Sequence, residues 1–401
     1  MVLEDRWLLP EGVDEVLPPQ AERLEALRRR ILDLFHSWGY DLVIPPLIEY
    51  LESLLTGVGH DLDLQTFKLT DQLTGRLMGV RADMTPQVAR IDANRLRRDA
   101  PTRLCYLGPV LHTLPNSFAG SRNPFQIGAE LYGHRGLESD VEVMCLMLDT
   151  LAEAGFDSVL LDLGHMAIFR GLSREAALDR DQESTLFDAL QRKACPEINR
   201  YLNDWSIAPR AAGLMRALPA LNGEESTLAQ AQELFAGTSQ SVIEALAELR
   251  EIARLLAERA PAVELHFDLA ELRGYHYHTG VIFAAYVPGQ GQALAKGGRY
   301  DDIGRVFGRA RPATGFSTDL KLLVGSGAAA GAVQDAVFAP WSEDVRLAAA
   351  VADLRRGGRR VVYALPGQAG GAPELGCNKM LNCIDGQWQV TDATRVGNNV
   401  I

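Results

Sequence analysis

No uncharged apolar run in this chain approaches the roughly 18 residues that a membrane span needs. Where a secretory signal would carry its apolar core, Met1 to Trp7 are followed by prolines instead. Cysteine is scarce: Cys105, Cys145, Cys195, Cys377 and Cys383 are scattered without a CxxC spacing, so neither a disulfide framework nor a zinc site is indicated. A reducing cytoplasm is the expected compartment, with no membrane attachment. Positive charge is also short. Forty Lys and Arg against 52 Asp and Glu leave a net charge of −12, which disfavours a long contact with nucleic acid. There is no internal repeat at a fixed period and no heptad array, so solenoids and coiled coils are excluded. What remains is 401 residues, 47% hydrophobic and 23% charged, enough for two globular domains.

Leu24, Leu27, Ile31, Leu34 and Phe35 recur at helical spacing and predict an amphipathic helix over 20–37, with Gly39 as its left-handed stop. Tyr40 to Ile44 reads as a strand that must end at Pro45-Pro46, at an edge or an interface. Phe67-Lys68-Leu69 and Leu77 to Val80 flank a polar turn, as in a hairpin. Thr85-Pro86 reads as an N-cap followed by proline, opening a helix to about Asp99. Strands are predicted at Arg103 to Leu107 and Gln126 to Tyr132, joined by a long polar loop from His112 to Pro124. From about Ser139 to Glu258 the signals are helical except for a strand at Val159 to Leu163. Strands return at Glu264 to Leu269 and Val281 to Tyr286, so a helical block is inserted between two groups of antiparallel strands. Thr318 to Val324 reads as a helix and Gly325 to Gly331 as a linker. The tail shows a helix at Val345 to Arg355 and strands at Arg360 to Ala364 and near Trp388 to Thr391.

Three segments combine polar or basic residues, apolar strand and glycine, the composition of a pocket for a small polar ligand: Arg81 to Thr85, Gln126 to Glu130, and Arg273 to Thr279. Asp83 beside Thr85 can hold an ammonium, Arg273 can clamp a carboxylate, and Gln126 and Glu130 share one face of a strand. Together they suit an amino acid. Taken singly, Asp83 and Thr85 can equally serve as a helix cap and Arg273 as a solvated charge. His276 and His278 share a strand face, but no third ligand is near in sequence, so no metal is expected. Lys296 to Arg299 lacks the order of a phosphate loop and reads as a turn preceding a strand. No Ser/His/Asp set is ordered as a nucleophilic triad. No catalytic residue and no cofactor are expected.

Taken in order, these segments resemble the catalytic domain of class II histidyl-tRNA synthetases from about residue 10 to 325. Gly39-Tyr40 through Pro46 and Glu49 resembles motif 1, which builds the dimer interface in that family. Arg81-Ala82-Asp83-Met84-Thr85 is similar to its Arg-Pro-Glu-Gly-Thr segment, and Gln126-Ile127-Gly128-Ala129-Glu130 to the end of motif 2. Arg273 to His278 resembles the Arg-Gly-Leu-Asp-Tyr-Tyr segment, and Gly297-Gly298-Arg299-Tyr300-Asp301 its Gly-Gly-Arg-Tyr-Asp. The resemblance implies an α+β fold, a class II antiparallel sheet flanked by helices. It places the synthetase-like domain at 1–325, with the helical insertion about 165–260, and a small α/β domain at 332–401. It also implies that Asp83, Thr85, Gln126, Glu130, Arg273, Tyr277 and His278 contact L-histidine.

Two departures matter. Where motif 2 has an Arg that grips phosphate and carboxylate, this chain has His112, and where motif 3 ends in an ATP-binding Arg it has Leu322. Adenylation relies on placed positive charge, so the loss of both should cost several kcal/mol. The tail beyond Ala330, about 70 residues, is short for an anticodon-binding module. This combination resembles the regulatory-subunit family of ATP phosphoribosyltransferase. Its members serve short-form catalytic subunits in the first step of histidine biosynthesis and relay feedback inhibition by histidine. The resemblance implies such a partner, L-histidine as regulatory ligand, self-association at least to a dimer, and no nucleic acid. An active synthetase and an assembly factor with a decayed pocket are the alternatives.

Overall fold

A computed structural model describes residues 7–55, 60–115, 120–271, 278–326 and 335–393. The chain forms two compact units, Met1–Ala329 and Ala330–Ile401.

In the first unit, strands Asp41–Val43, Thr102–Pro109, Phe125–Tyr132, Ala313–Asp319, Ala295–Arg299, Val281–Tyr286, Leu160–His165, Glu264–Asp268 and Asn222–Gly223 lie side by side in that order. The six strands from Thr102–Pro109 to Leu160–His165 are antiparallel to their neighbours. Asp41–Val43 and Glu264–Asp268 join that block in parallel. This is the expected class II α+β sheet. The strand before Pro45-Pro46 takes the edge, as a proline pair requires.

Alternation along the strands divides the sheet into two faces. Ile127, Ala129 and Leu131 point to the large core, which also holds Leu27, Ile31 and Phe35 of helix Gln20–Ser37 and Val141, Met144 and Met147 of helix Leu137–Glu153. Burying each such side chain stabilises the fold by roughly 1.5–3 kcal/mol. Gly39, at φ +81°, ends the first of these helices as its position predicted. Leu104, Tyr106 and Tyr132 point to the other face and pack with Met84, Val88 and Tyr300. A buried ion pair closes this region: Arg299 donates to Asp140 Oδ2 at 2.7 Å, to Ser139 Oγ at 3.0 Å and to the Gly136 carbonyl at 3.2 Å. Strands Ile48–Tyr50, Leu77–Val80 and Phe67–Thr70 form a separate small sheet that includes the expected hairpin. Helices Met166–Glu175, Arg180–Gln191, Cys195–Asp204, Pro209–Ala217, Ser226–Leu234 and Gln240–Arg259 occupy the insertion.

The second unit has four strands in the order Val361–Tyr363, Val337–Ala339, Lys379–Ile384, Gln387–Asp392. Helix Val345–Arg356 lays Leu347 and Val351 on them, its first turn capped by Asp344, which accepts from the Arg346 N–H at 2.9 Å.

Four local expectations need correction. Thr85 is the first helical residue and not the cap: the helix Thr85–Arg90 follows Met84, and Asp83 Oδ1 serves the Thr85 N–H instead. That helix continues as a π-helical turn, Ile91–Leu96, and stops at left-handed Arg97, short of Asp99. Lys296 to Arg299 belongs to a strand and not to a turn, and Thr318 with Asp319 ends a strand while the helix starts at Leu320. In both places local composition suggested the element, and pairing within the sheet overrode it. Among the described residues no helix is long and apolar enough to cross a membrane.

Candidate functional site

The site grows from the polar positions of strand Phe125–Tyr132. Because its odd-numbered side chains fill the core, Gln126 and Glu130 face the opposite side, beside Tyr106 of the neighbouring strand. Gln126 reaches the turn before helix Thr85–Arg90: its Nε2 donates to Asp83 Oδ1 at 2.7 Å, and its Oε1 accepts the Met84 N–H at 2.9 Å. Asp83 Oδ1 also receives the Thr85 N–H at 3.0 Å and the Thr85 hydroxyl at 3.1 Å. Three donors thus converge on one carboxylate oxygen. Helix capping and site formation are the same set of bonds.

From Thr85 the network runs inward. Thr85 Oγ1 lies 3.0 Å from Tyr106 Oη, Tyr106 Oη lies 2.9 Å from Glu130 Oε1, and Tyr300 Oη donates to Glu130 Oε2. Glu130 is 1% exposed, and that burial pushes its pKa up to about 8 even though two tyrosines hydrogen-bond it. The shift favours the protonated acid near neutral pH. Proton counting then gives the chain a direction. A neutral Glu130 can donate to Tyr106, freeing Tyr106 to donate to Thr85 and Thr85 to donate to Asp83. Ionised Glu130 accepts the Tyr106 hydroxyl's hydrogen bond, and Thr85 must then choose between donating to Asp83 and donating to Tyr106.

Glycines make the room. Gly315 stands opposite Glu130 in the sheet, and a Cβ there would overlap the Glu130 carboxylate. His278 packs edge-on against Tyr300, ring centroids 6.5 Å apart, and so approaches Glu130 through that ring. Arg273 and Tyr277, the other expected ligand contacts, lie outside the described residues, as does His276. Asp83, Thr85, Gln126 and Glu130 are brought together, with His278 one side chain away.

Beside this network lies a cavity of about 710 Å³ whose lining includes Asp83, Gln126, His112, Lys296, Asp319 and Leu322. His112 and Leu322 therefore stand on the wall of the same cavity. The His112 Nε2 donates to the Ala82 carbonyl at 2.8 Å, which in a neutral ring leaves Nδ1 as a lone-pair acceptor, buried and without a partner among the described residues. Such a group cannot grip a phosphate as a guanidinium fork does. Arg81 is taken up by structure: it donates to the carbonyls of Pro109 at 2.9 Å and Pro45 at 2.7 Å. Asp319 accepts from the Phe125 and Lys321 N–H groups, and burial raises its pKa. No three His, Cys, Asp or Glu side chains form a metal-binding group among the described residues.

Sequence reasoning did not give Tyr106 or Tyr300 a role. The mark of that role is visible only once the strands are paired: Tyr106 faces Gly128 across the sheet, and a residue as large as tyrosine opposite glycine lies over its neighbour.

Comparison with known proteins agrees with this architecture. Residues 12–323 match the family model described as histidyl-tRNA synthetase, and residues 334–391 match that of the ATP phosphoribosyltransferase subunit HisZ C-terminal domain. The chain is 60% identical over 394 residues to an ATP phosphoribosyltransferase regulatory subunit of Thioalkalivibrio sulfidiphilus, covering 98% of this chain and all of that one. It is 56% identical to one of Nitrosococcus oceani, covering 99% of this chain and 100% of the relative. A crystal structure from Bacillus halodurans, titled ATP phosphoribosyltransferase regulatory subunit/histidyl-tRNA synthetase, superposes with a TM-score of 0.81 at 27% identity, covering 91% of this chain and 94% of that one. On this evidence the chain belongs to the family of ATP phosphoribosyltransferase regulatory subunits, built on a histidyl-tRNA synthetase fold.

Proposed function

We propose that this chain is the non-catalytic regulatory subunit of a cytoplasmic ATP phosphoribosyltransferase, and that it joins a short-form catalytic subunit, raises its rate and relays feedback inhibition by L-histidine. The observation that carries the ligand assignment is the buried Glu130, held by Tyr106 and Tyr300 and wired through Thr85 to Asp83 and Gln126. Asp83 and Thr85 hold the ammonium of the ligand, and Arg273 and Gln126 its carboxylate. Glu130, Tyr277 and His278 recognise the imidazole. A carboxylic acid is the right group for that ring, because Glu130 and an imidazole can share one proton in either order. Gln126 Nε2 gives one N–H to Asp83, and its second N–H is the donor left for the ligand carboxylate.

Loss of placed positive charge supports the non-catalytic part of the reading, since His112 and Leu322, which line the cavity, stand at the positions where the resemblance to the synthetases implies arginines. Feedback further requires that histidine bind one arrangement of the assembly better than another, because equal affinity shifts nothing. Self-association is assigned to the edge that resembles motif 1, where Leu42, Ile44, Leu47 and Ile48 are 47%, 80%, 46% and 43% exposed. Calorimetric titration with L-histidine, run beside an assay for histidine-dependent ATP–pyrophosphate exchange, tests the proposal. Histidine binding without exchange supports it. Exchange activity would make the chain a synthetase, and no histidine binding would leave an assembly factor.

A further inference from the structure

One side of the 710 Å³ cavity is walled by three short pieces of chain that meet at Asp14. Gly12, Val13 and Asp14 come from the irregular segment before helix Gln20–Ser37, Gly120 and Ser121 from the loop before strand Phe125–Tyr132, and Lys321 from helix Leu320–Ser326. The Asp14 N–H donates to Asn123 Oδ1 at 3.2 Å, and its carbonyl accepts from Asn123 Nδ2 at 3.0 Å. Its carboxylate accepts from Ser121 Oγ at 2.8 Å and pairs with Lys321 Nζ at 3.2 Å. Arg122 adds two bonds to the same segment, from its N–H to the Gly12 carbonyl at 2.6 Å and from Nη1 to the Glu11 carbonyl at 2.9 Å.

All of these contacts are polar. Glu11, Gly12 and Asp14 are exposed, and the flanking Trp7, Leu8, Leu9 and Leu17 are 84%, 74%, 48% and 61% exposed, so apolar burial does little to hold the segment down. Water competes for each bond, and such a segment opens locally far more easily than the sheet it covers. We propose that residues 11–14 form a strap that gates the cavity, that the Asp14–Lys321 pair is its latch, and that ligand enters and leaves when the latch opens. The identity of that ligand rests on the reading of the cavity as the approach to the histidine site; the latch itself does not.

Amide hydrogen exchange on the full chain reports the strap directly, because the Arg122 N–H is bonded to the Gly12 carbonyl and the Asp14 N–H to Asn123. The variants are Asp14→Asn, which keeps the size and the backbone contacts, and Lys321→Met, which keeps the stem. Each should speed exchange of both amides by about two- to fivefold, the weight of a partly exposed ion pair. The Phe125 N–H, held by Asp319 at 2.9 Å, should keep its rate. In stopped-flow measurements histidine release should accelerate by the same factor while affinity moves less than twofold. Unchanged Arg122 and Asp14 exchange in both variants overturns the latch, and faster exchange with unchanged histidine release overturns the gate. If the unaltered chain binds no histidine, the ligand reading fails, while faster exchange in the variants still upholds the latch.

Discussion

Replacing Glu130 with glutamine removes an ionisable group yet keeps its shape and its ability to donate and accept. Because the amide mimics the protonated acid, the bonds to Tyr106 and Tyr300 survive. In the native chain Glu130 holds its proton up to about pH 8, whereas in the unfolded chain it ionises near 4.5. Between those values the folded state binds one more proton than the unfolded state, so raising the pH costs stability, about 1.4 kcal/mol per unit. Over the full shift the loss reaches about 3–5 kcal/mol, the upper figure being the unrelaxed limit. E130Q has no such loss. Urea unfolding of wild type and variant at pH 5, 6.5 and 8.5, compared as a difference at each pH, isolates this group from every other titration. The two proteins should be of similar stability at pH 5, and E130Q should be the more stable by several kcal/mol at pH 8.5. A difference that stays constant with pH to within about 1 kcal/mol would refute the neutral, buried Glu130.

Other outcomes follow from the same geometry. Histidine affinity measured by calorimetry should be highest between about pH 6.5, below which free imidazole is protonated, and about pH 8, above which Glu130 has lost its proton; a flat profile would separate Glu130 from the imidazole. Gly315→Ala should lower thermal stability by roughly 1–3 kcal/mol or more through overpacking against Glu130, and should abolish histidine binding even where the protein stays folded. The self-association proposed for the edge that resembles motif 1 predicts that Ile44→Asp lowers the oligomeric state in sedimentation experiments, and an unchanged state would move the interface elsewhere.

Where sequence and structure agree, the reason is periodicity or a strong stop. Helix Gln20–Ser37 carries its apolar residues at the right spacing and ends before Gly39, and strand Val281–Tyr286 lies in a continuous apolar run bounded by Gly280 and Pro288. What failed was context. Ala295–Arg299 contains two adjacent glycines and looks like a turn, yet those glycines let it lie against Phe283 and His278 in the middle of the sheet. Val337–Ala339 and Lys379–Ile384 were not anticipated, the first because three residues are too few to show alternation. For the site, residue types and the shared strand face brought Asp83, Thr85, Gln126 and Glu130 together. The tyrosine bridge was hidden because it joins strands far apart in sequence, with 170 residues separating Glu130 from Tyr300. Asp14 was hidden for the same reason, 307 residues from Lys321.

The central claim is regulation of a partner enzyme by histidine through this chain. Its most direct test is the rate of the same organism's short-form ATP phosphoribosyltransferase catalytic subunit, with and without this chain, across a histidine titration. The account predicts that adding the chain raises the rate and that histidine then suppresses it more strongly than it suppresses the catalytic subunit alone. A rate and a histidine sensitivity that are both unchanged by the chain would contradict it.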